Sequence, residues 1–423
     1  MKIAFVSQPG DLIAPPNLES SIAIWTYEVA RRLARSNDVI VYAKYPKKNW
    51  VKEKYDEGVC YRYVSISLDE RLIKLLKSLE QLGKRYKSKR PLFSSSLFYL
   101  GYCLQIAKDL KEQQCDLVHI FNSSQFISII RSFNPNIKII LHMHCQWLNQ
   151  LDRTTIQKRL ARADSVIGCS EYITEQIRQR FPEFAERCQT VYNGVDIEKF
   201  AEQKDDLKNR EERAKQLLFV GRVSPEKGIH ILLQAFPKVI ERHPETHLKI
   251  VGLTQLIPYE FIVALSDDPK VKKLASFYPD GWLSYLAQWQ NDSTIAKRIS
   301  FIGSVSNSEV VNYYQNTDIF VFPSIVNEAF GIPIIEAMAS GVPVVVSRSG
   351  AFEEVVDEGK TGLIVERDDA DGLAEAILQL LADDERRKTM TKAARERVAA
   401  FFTYDKVVEN LVYQYKHLLS QQK

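Results

Sequence analysis

The stretch Leu217-Leu218-Phe219-Val220-Gly221-Arg222-Val223-Ser224-Pro225-Glu226-Lys227-Gly228 decides how the chain is read. Four apolar residues of strand length run straight into a glycine-bounded charged turn. That is how a buried parallel strand hands over to the loop before a crossover helix. The same alternation of short apolar runs and longer amphipathic ones fills most of the chain, so two doubly wound α/β units are predicted.

Working back from Leu217, strand candidates fall at 2–7, 38–44, 59–66, 116–121, 137–143, 164–169 and 188–192. Working forward, they fall at 216–221, 247–252, 299–303, 318–323, 343–347 and 362–366. Helical patterns lie between most of them, as in Ser20 to Arg35 and Asp152 to Ala163. The expected domains are 1–197 and 216–402, joined by a charged, apolar-poor linker at 198–215. A C-terminal helical segment at 403–423 can pack on either one.

Length and composition agree with two domains. The chain has 423 residues, 45% of them hydrophobic and 26% charged, which is ordinary for a globular protein. A net charge of +4 is small beside 57 basic and 53 acidic residues and gives no argument for nucleic acid. Met1-Lys2 leads directly into Ile3-Ala4-Phe5-Val6, so no signal peptide is expected. Six scattered cysteines without a C-x-x-C pair then read as reduced thiols of a cytoplasmic protein.

Two segments break the alternation. Residues 253–298 hold no obvious strand but include Trp282, Tyr285 and Trp289. This is either a helical insertion packed by its aromatics or a functional loop. From Leu68 to Arg90, leucines at 68, 72, 75, 76, 79 and 82 share one helical face among eight basic and three acidic residues. Such a helix either buries its leucines or lies on a membrane surface, which leaves peripheral association with the inner face of the membrane open.

In open parallel sheets, ligands sit beyond the carboxyl ends of the strands. Arg222 and Lys227 flank the turn after one such end. A nucleotide diphosphate brings negative charge, and one cation about 4 Å from one charge contributes roughly 4 kcal/mol at an effective dielectric near 20. Taken alone, the pair also fits a turn with solvated charges. Asn327-Glu328-Ala329-Phe330-Gly331-Ile332-Pro333-Ile334-Ile335-Glu336 follows another strand end. Gly331 allows close backbone approach, and Pro333 suits a helix start whose amides favour phosphate. Glu336, expected in the first turn of that helix, can accept from ribose hydroxyls or simply stabilise the helix start.

These residues resemble the large retaining glycosyltransferase family of GT-B fold that carries the E-x7-E motif (family 4, group 1). Glu328 and Glu336 match its two glutamates, and Gly221 to Gly228 match its Gly-Arg-x-x-x-Glu-Lys-Gly run. Phe330-Gly331, Glu336-Ala337-Met338-Ala339, Gly341-Val342-Pro343-Val344-Val345, Phe301-Ile302-Gly303, Pro323-Ser324, Thr361-Gly362-Leu363-Ile364-Val365 and Asn193-Gly194-Val195-Asp196 match as well.

The resemblance implies two Rossmann-like domains facing across a cleft and transfer of a sugar, with retention, from a UDP-linked donor. Arg222 and Lys227 would grip the diphosphate with the backbone of Phe330 and Gly331, and Glu336 the ribose. Glu328 would hold the donor sugar, and the backbone near Val305 the base. His144 fits the histidine near the transferred sugar, with His142 on the same side of its strand as the alternative. No metal or other cofactor is expected, the cations standing in for Mg²⁺. The acceptor is an unidentified sugar or lipid-linked hydroxyl, as in polysaccharide, glycolipid or glycoconjugate synthesis.

The family's Gly-Gly pair after the first strand is missing, since Asn17-Leu18-Glu19-Ser20-Ser21 holds no glycine. A non-catalytic sugar- or lipid-binding module of the same fold is therefore the competing reading. A dinucleotide oxidoreductase is disfavoured, because neither Gly10 nor Gly221 begins a G-x-G-x-x-G run. His119, His142, His144, Cys145 and Cys169 lie near strand ends, but without the local pair spacing of a zinc site.

Overall fold

In the computed structural model, which describes residues 1–18, 20–47, 50–83, 91–201, 214–291 and 295–420, the described residues form two compact units. One comprises Met1–Asn193 with Tyr404–Lys423, the other Gly194–Thr403.

The first unit contains β1 (Lys2–Val6), β2 (Ile13–Ala14), β3 (Asn17–Leu18), β4 (Asp38–Lys44), β5 (Glu53–Asp56), β6 (Val59–Val64), β7 (Leu117–Phe121), β8 (Lys138–Met143), β9 (Ser165–Gly168) and β10 (Cys188–Thr190). Its main sheet runs β10-β9-β8-β7-β1-β4-β6-β5, and only β5 is antiparallel to its neighbour. The second unit has β11 (Gln216–Val220), β12 (His247–Val251), β13 (Ile299–Gly303), β14 (Ile319–Phe322), β15 (Val344–Ser347) and β16 (Gly362–Val365). These form an all-parallel sheet in the order β13-β12-β11-β14-β15-β16. The central apolar runs predicted as strands are buried, as strands covered on both faces must be: Ile3 to Val6, Ile319 to Val321 and Val344 to Val346 are all fully inaccessible.

Three strands carry no such run. The β5 segment is Glu53-Lys54-Tyr55-Asp56, an exposed edge strand, and β2 and β3 are a two-residue pair over the region that lacks the glycines. Edge strands of this kind have no second buried face, so they leave no continuous apolar signal. Helix Ser21–Leu33 begins where Ser20 Oγ accepts from the Ala23 amide at 3.0 Å.

The expected linker coincides partly with helix Ile197–Ala201, whose Phe200 packs on Tyr314 in the second unit, and its residues 202–213 lie outside the described residues. The C-terminal helix Tyr404–Ser420 belongs to the first unit, where Val407, Leu411, Tyr415 and Leu418 join the core around Trp25.

In the basic segment, the leucines of helix Ser67–Gly83 are not uniformly buried: Leu72 and Leu76 are half-buried. Leu68 is 75% exposed and Leu75 58% exposed. The buried side carries Ile73 and Asp69, whose carboxylate accepts from the Gly101 and Tyr102 amides at 2.7 and 2.9 Å. Residues 84–90 of that segment lie outside the described residues. No helix among the described residues is long and apolar enough to cross a membrane.

Candidate functional site

The turn after β11 is built by close backbone approach. Gly228 has φ of +75°, and a Cβ there would lie 1.8 Å from the Pro323 carbonyl oxygen. No other residue type fits. The approach sets residues 226–227 against the loop after β14, where the Ile325 amide donates to the Glu226 carbonyl at 2.9 Å. Lys227 Nζ thereby reaches Glu328 Oε1 at 2.7 Å, and Ser324 Oγ donates to the same oxygen at 2.6 Å. Arg222 is paired as well: its Nη1 donates to Glu226 Oε1 at 2.9 Å, beside Ser224 Oγ at 2.6 Å. Glu226 is fully buried, and its second oxygen, Oε2, has no partner among the described residues.

Of the two predicted cations only Lys227 meets Glu328, and each cation already has a carboxylate. A diphosphate entering this place meets ion pairs rather than bare cations.

Gly331, with φ of +99°, opens the eight-residue helix Ile332–Ala339. A Cβ at Gly331 would press within 2.6 Å of the Phe352 ring. Phe330 is buried against Phe402, so only its backbone can face a ligand.

Glu336 departs from expectation in one respect. The helix starts at Ile332, so Glu336 opens the second turn, not the first, and is too far along to stabilise the helix start. It is half-buried and accepts from Tyr314 Oη at 2.8 Å. Burial raises its carboxyl to about 7, against the opposing effects of the Tyr314 bond and the Lys199 charge. Val305 is half-buried two residues past β13, in the loop leading to helix Val310–Gln315 that carries Tyr314.

The insertion braces these loops. Trp282 is fully buried, stacks on Tyr285 and donates from Nε1 to the Val223 carbonyl at 3.0 Å, next to Arg222. Arg367 donates to the Ile325 carbonyl at 2.8 Å while paired with Asp268 at 2.7 Å. Sequence reasoning named Trp282 without a role and passed over Glu226, Tyr314 and Arg367. Glu226 lay inside the quoted motif, and its position between the two cations was the available signal.

In the first unit, His144 follows β8. Its amide donates to Asn122 Oδ1 at 2.7 Å, and its ring lies 4.2 Å from that of His142, centroid to centroid. His119 Nε2 is 3.0 Å from His142 Nδ1, and His119 Nδ1 is 2.7 Å from Tyr415 Oη. Burial holds His119 and His144 down to about 3 and His142 well below its usual range, so all three rings are neutral. Among the described residues no group of three or more His, Cys, Asp and Glu is placed to hold a metal ion.

Comparison with known proteins covers both units. The family described as Glycosyltransferase Family 4 matches residues 22–199, and that described as Glycosyl transferases group 1 matches residues 200–397. Spore coat protein SA of Bacillus subtilis is 28% identical over 98% of this chain and 99% of its own. The lipopolysaccharide 1,2-N-acetylglucosaminetransferase of Salmonella typhimurium is 28% identical over 98% of each chain. The crystal structure of Anabaena HepE in complex with UDP-glucose superposes with a TM-score of 0.68 at 20% identity, over the whole of both chains. At that identity the superposition speaks for the fold, which is GT-B.

Proposed function

From the premise that this chain belongs to the group 1, family 4 glycosyltransferases, we propose that it transfers a sugar, with retention and without a metal ion, from a UDP-linked donor to a hydroxyl acceptor. The observation that carries the reading is the junction of Lys227 with Glu328 at 2.7 Å, which joins the loop after β11 to the loop before the Gly331 helix. Charge develops on the departing diphosphate as the glycosidic bond breaks, and Arg222 and Lys227 meet it together with the amides at Gly331. Glu328 holds the hydroxyls of the transferred sugar, Glu336 the ribose, and the backbone at Val305 the base. His144 contacts the reacting sugar. The acceptor hydroxyl attacks from the face the diphosphate leaves, and the diphosphate takes its proton.

The UDP-glucose complex of HepE supports a UDP-linked donor. The Salmonella relative supports an acceptor from polysaccharide or glycolipid synthesis. Helix Ser67–Gly83 supports a lipid-linked acceptor reached at the inner membrane face, because Leu68 and Leu75 are exposed beside exposed Arg71, Lys74 and Lys77. Sedimentation with vesicles rich in phosphatidylglycerol should weaken on Leu75→Ser.

A panel of nucleotide sugars screened by thermal unfolding tests the donor, since a ligand at 100 times its Kd stabilises by about 2.7 kcal/mol. Stabilisation by a UDP-sugar that disappears in Arg222→Ala is the expected result. Equal stabilisation of wild type and variant would remove Arg222 from the donor site.

A further inference from the structure

The chain Tyr415–His119–His142 has a preferred direction. If Tyr415 donates to His119 Nδ1, then His119 carries its proton on Nε2 and donates to His142 Nδ1, and His142 is left with one unpaired group, Nε2–H. In the reverse direction the Tyr415 hydroxyl and the His142 Nε2 lone pair are both unpaired among the described residues. An unmet buried polar group is costly, so the first direction is favoured. Tyr415 also keeps its proton, because burial raises its phenol well above the usual range.

The free end of that chain does not stand alone. His142 Nε2, His144 Nε2 and Trp25 Nε1 are all buried without a hydrogen-bond partner among the described residues. Their rings pack against one another, with centroids 5.1 Å apart for Trp25 and His142, 5.6 Å for Trp25 and His144, and 4.2 Å for the two histidines. Three unmet nitrogens on three touching rings are what one buried water, with its two to four polar partners, satisfies.

We propose that Tyr415 and His119 are positioning residues that fix His142 as its Nε2–H tautomer, so that His142 and Trp25 donate to one ordered water, which donates in turn to His144 Nε2. His144 then carries its proton on Nδ1 and presents that N–H as its donor. The consequence for turnover rests on the role given to His144 above; the tautomers themselves do not. The anchor of the chain is the C-terminal helix, 296 residues from His119 in sequence.

The test is ¹⁵N spectroscopy of imidazole-labelled full-length protein, in which seven histidines are to be assigned. Wild type should show His119 and His142 as Nε2–H and His144 as Nδ1–H. Tyr415→Phe keeps the ring and removes only the hydroxyl, so His119 and His142 should become tautomer mixtures. Turnover should fall about tenfold at unchanged donor KM, the size expected for a misdirected buried hydrogen bond. Nδ1–H at His142 in wild type overturns the proposal even if the variant does not fold. So do identical tautomers in wild type and Tyr415→Phe. His144→Gln transferring sugar at the wild-type rate would instead sink the catalytic role of His144, whatever the tautomers.

Discussion

In the second unit, polar groups beside the proposed donor site come as opposite charges in contact: Arg222 with Glu226, and Lys227 with Glu328. In the first unit, His119, His142 and Tyr415 are fully buried, neutral, and linked in one hydrogen-bonded chain. The difference follows from the chemistry each can serve. A diphosphate needs charge, and charge held near a protein interior must be balanced while no ligand is bound. A hydroxyl needs a donor in a defined place, which a neutral imidazole with a fixed tautomer supplies without counter-ions.

The comparison breaks most readily at the charged end. Lys227→Ala and Arg222→Ala should each lower turnover by about 10²–10³, the usual loss when one preorganised stabilising group is removed. Lys227→Ala carries an added effect, because Glu328 loses its counter-charge in a half-buried place. Steady-state transfer, or slow donor hydrolysis without acceptor, measures both. A variant within twofold of wild type would mean that the paired glutamates neutralise the cations even with donor bound.

Glu226→Ala should act on stability as well as rate. The carboxylate is fully buried and accepts from both Arg222 and Ser224. Its loss should cost about 2 kcal/mol, at the lower end for such pairs because Arg222 is a third exposed. Thermal unfolding should move down by several degrees, and unchanged unfolding would show that Arg222 is held by other contacts.

Glu336 stands between the two kinds of polarity, a carboxyl raised to about 7 chiefly by burial. Because its folded value lies above the ordinary 4.5, its proton favours the folded state, and that contribution is lost as pH rises from about 4.5 through 7. Donor binding has the opposite sign, since only the carboxylate accepts from both ribose hydroxyls. Affinity should therefore fall up to about tenfold from pH 8 to pH 6, with proton release on binding below 7. Calorimetry with a UDP-sugar checks this, free UDP being unsuitable because its terminal phosphate titrates in the same range. Glu336→Gln should bind weakly at both pH values, and a pH-dependence that survives in it would place the titrating group elsewhere.

Legibility in the sequence divides along the same line. The parallel strands were legible because Val, Ile and Leu runs buried on both faces leave a continuous signal, whereas β5 is an exposed edge of Glu53-Lys54-Tyr55-Asp56 and leaves none. Arg222, Lys227 and Glu328 were legible because glycine turns and charges share two short local stretches. That Lys227 and Glu328 touch depends on Gly228 meeting Pro323, 95 positions away, which no spacing discloses. The partnership of His119 with Tyr415 is less legible still: both residues look like ordinary core positions until the C-terminal helix is placed.

The smallest effect belongs to the insertion, and it decides whether residues 253–298 serve the donor side. Trp282 is buried by the rings of Phe277 and Tyr285, and its one polar bond runs to the carbonyl of Val223. Trp282→Phe keeps most of the apolar contact and removes that bond, so about 1 kcal/mol of local support for the Arg222 loop is lost. A looser loop binds the diphosphate less well before the chemical step, so donor KM should rise about fivefold while kcat changes less than twofold. Tyr285→Phe removes a hydroxyl that bonds to the His230 carbonyl and makes no bond to Val223, and should leave donor KM unchanged. Equal KM values for the two variants would reduce the insertion to packing. A KM rise confined to Trp282→Phe would tie it to the cation pair, because Val223 is the residue next to Arg222.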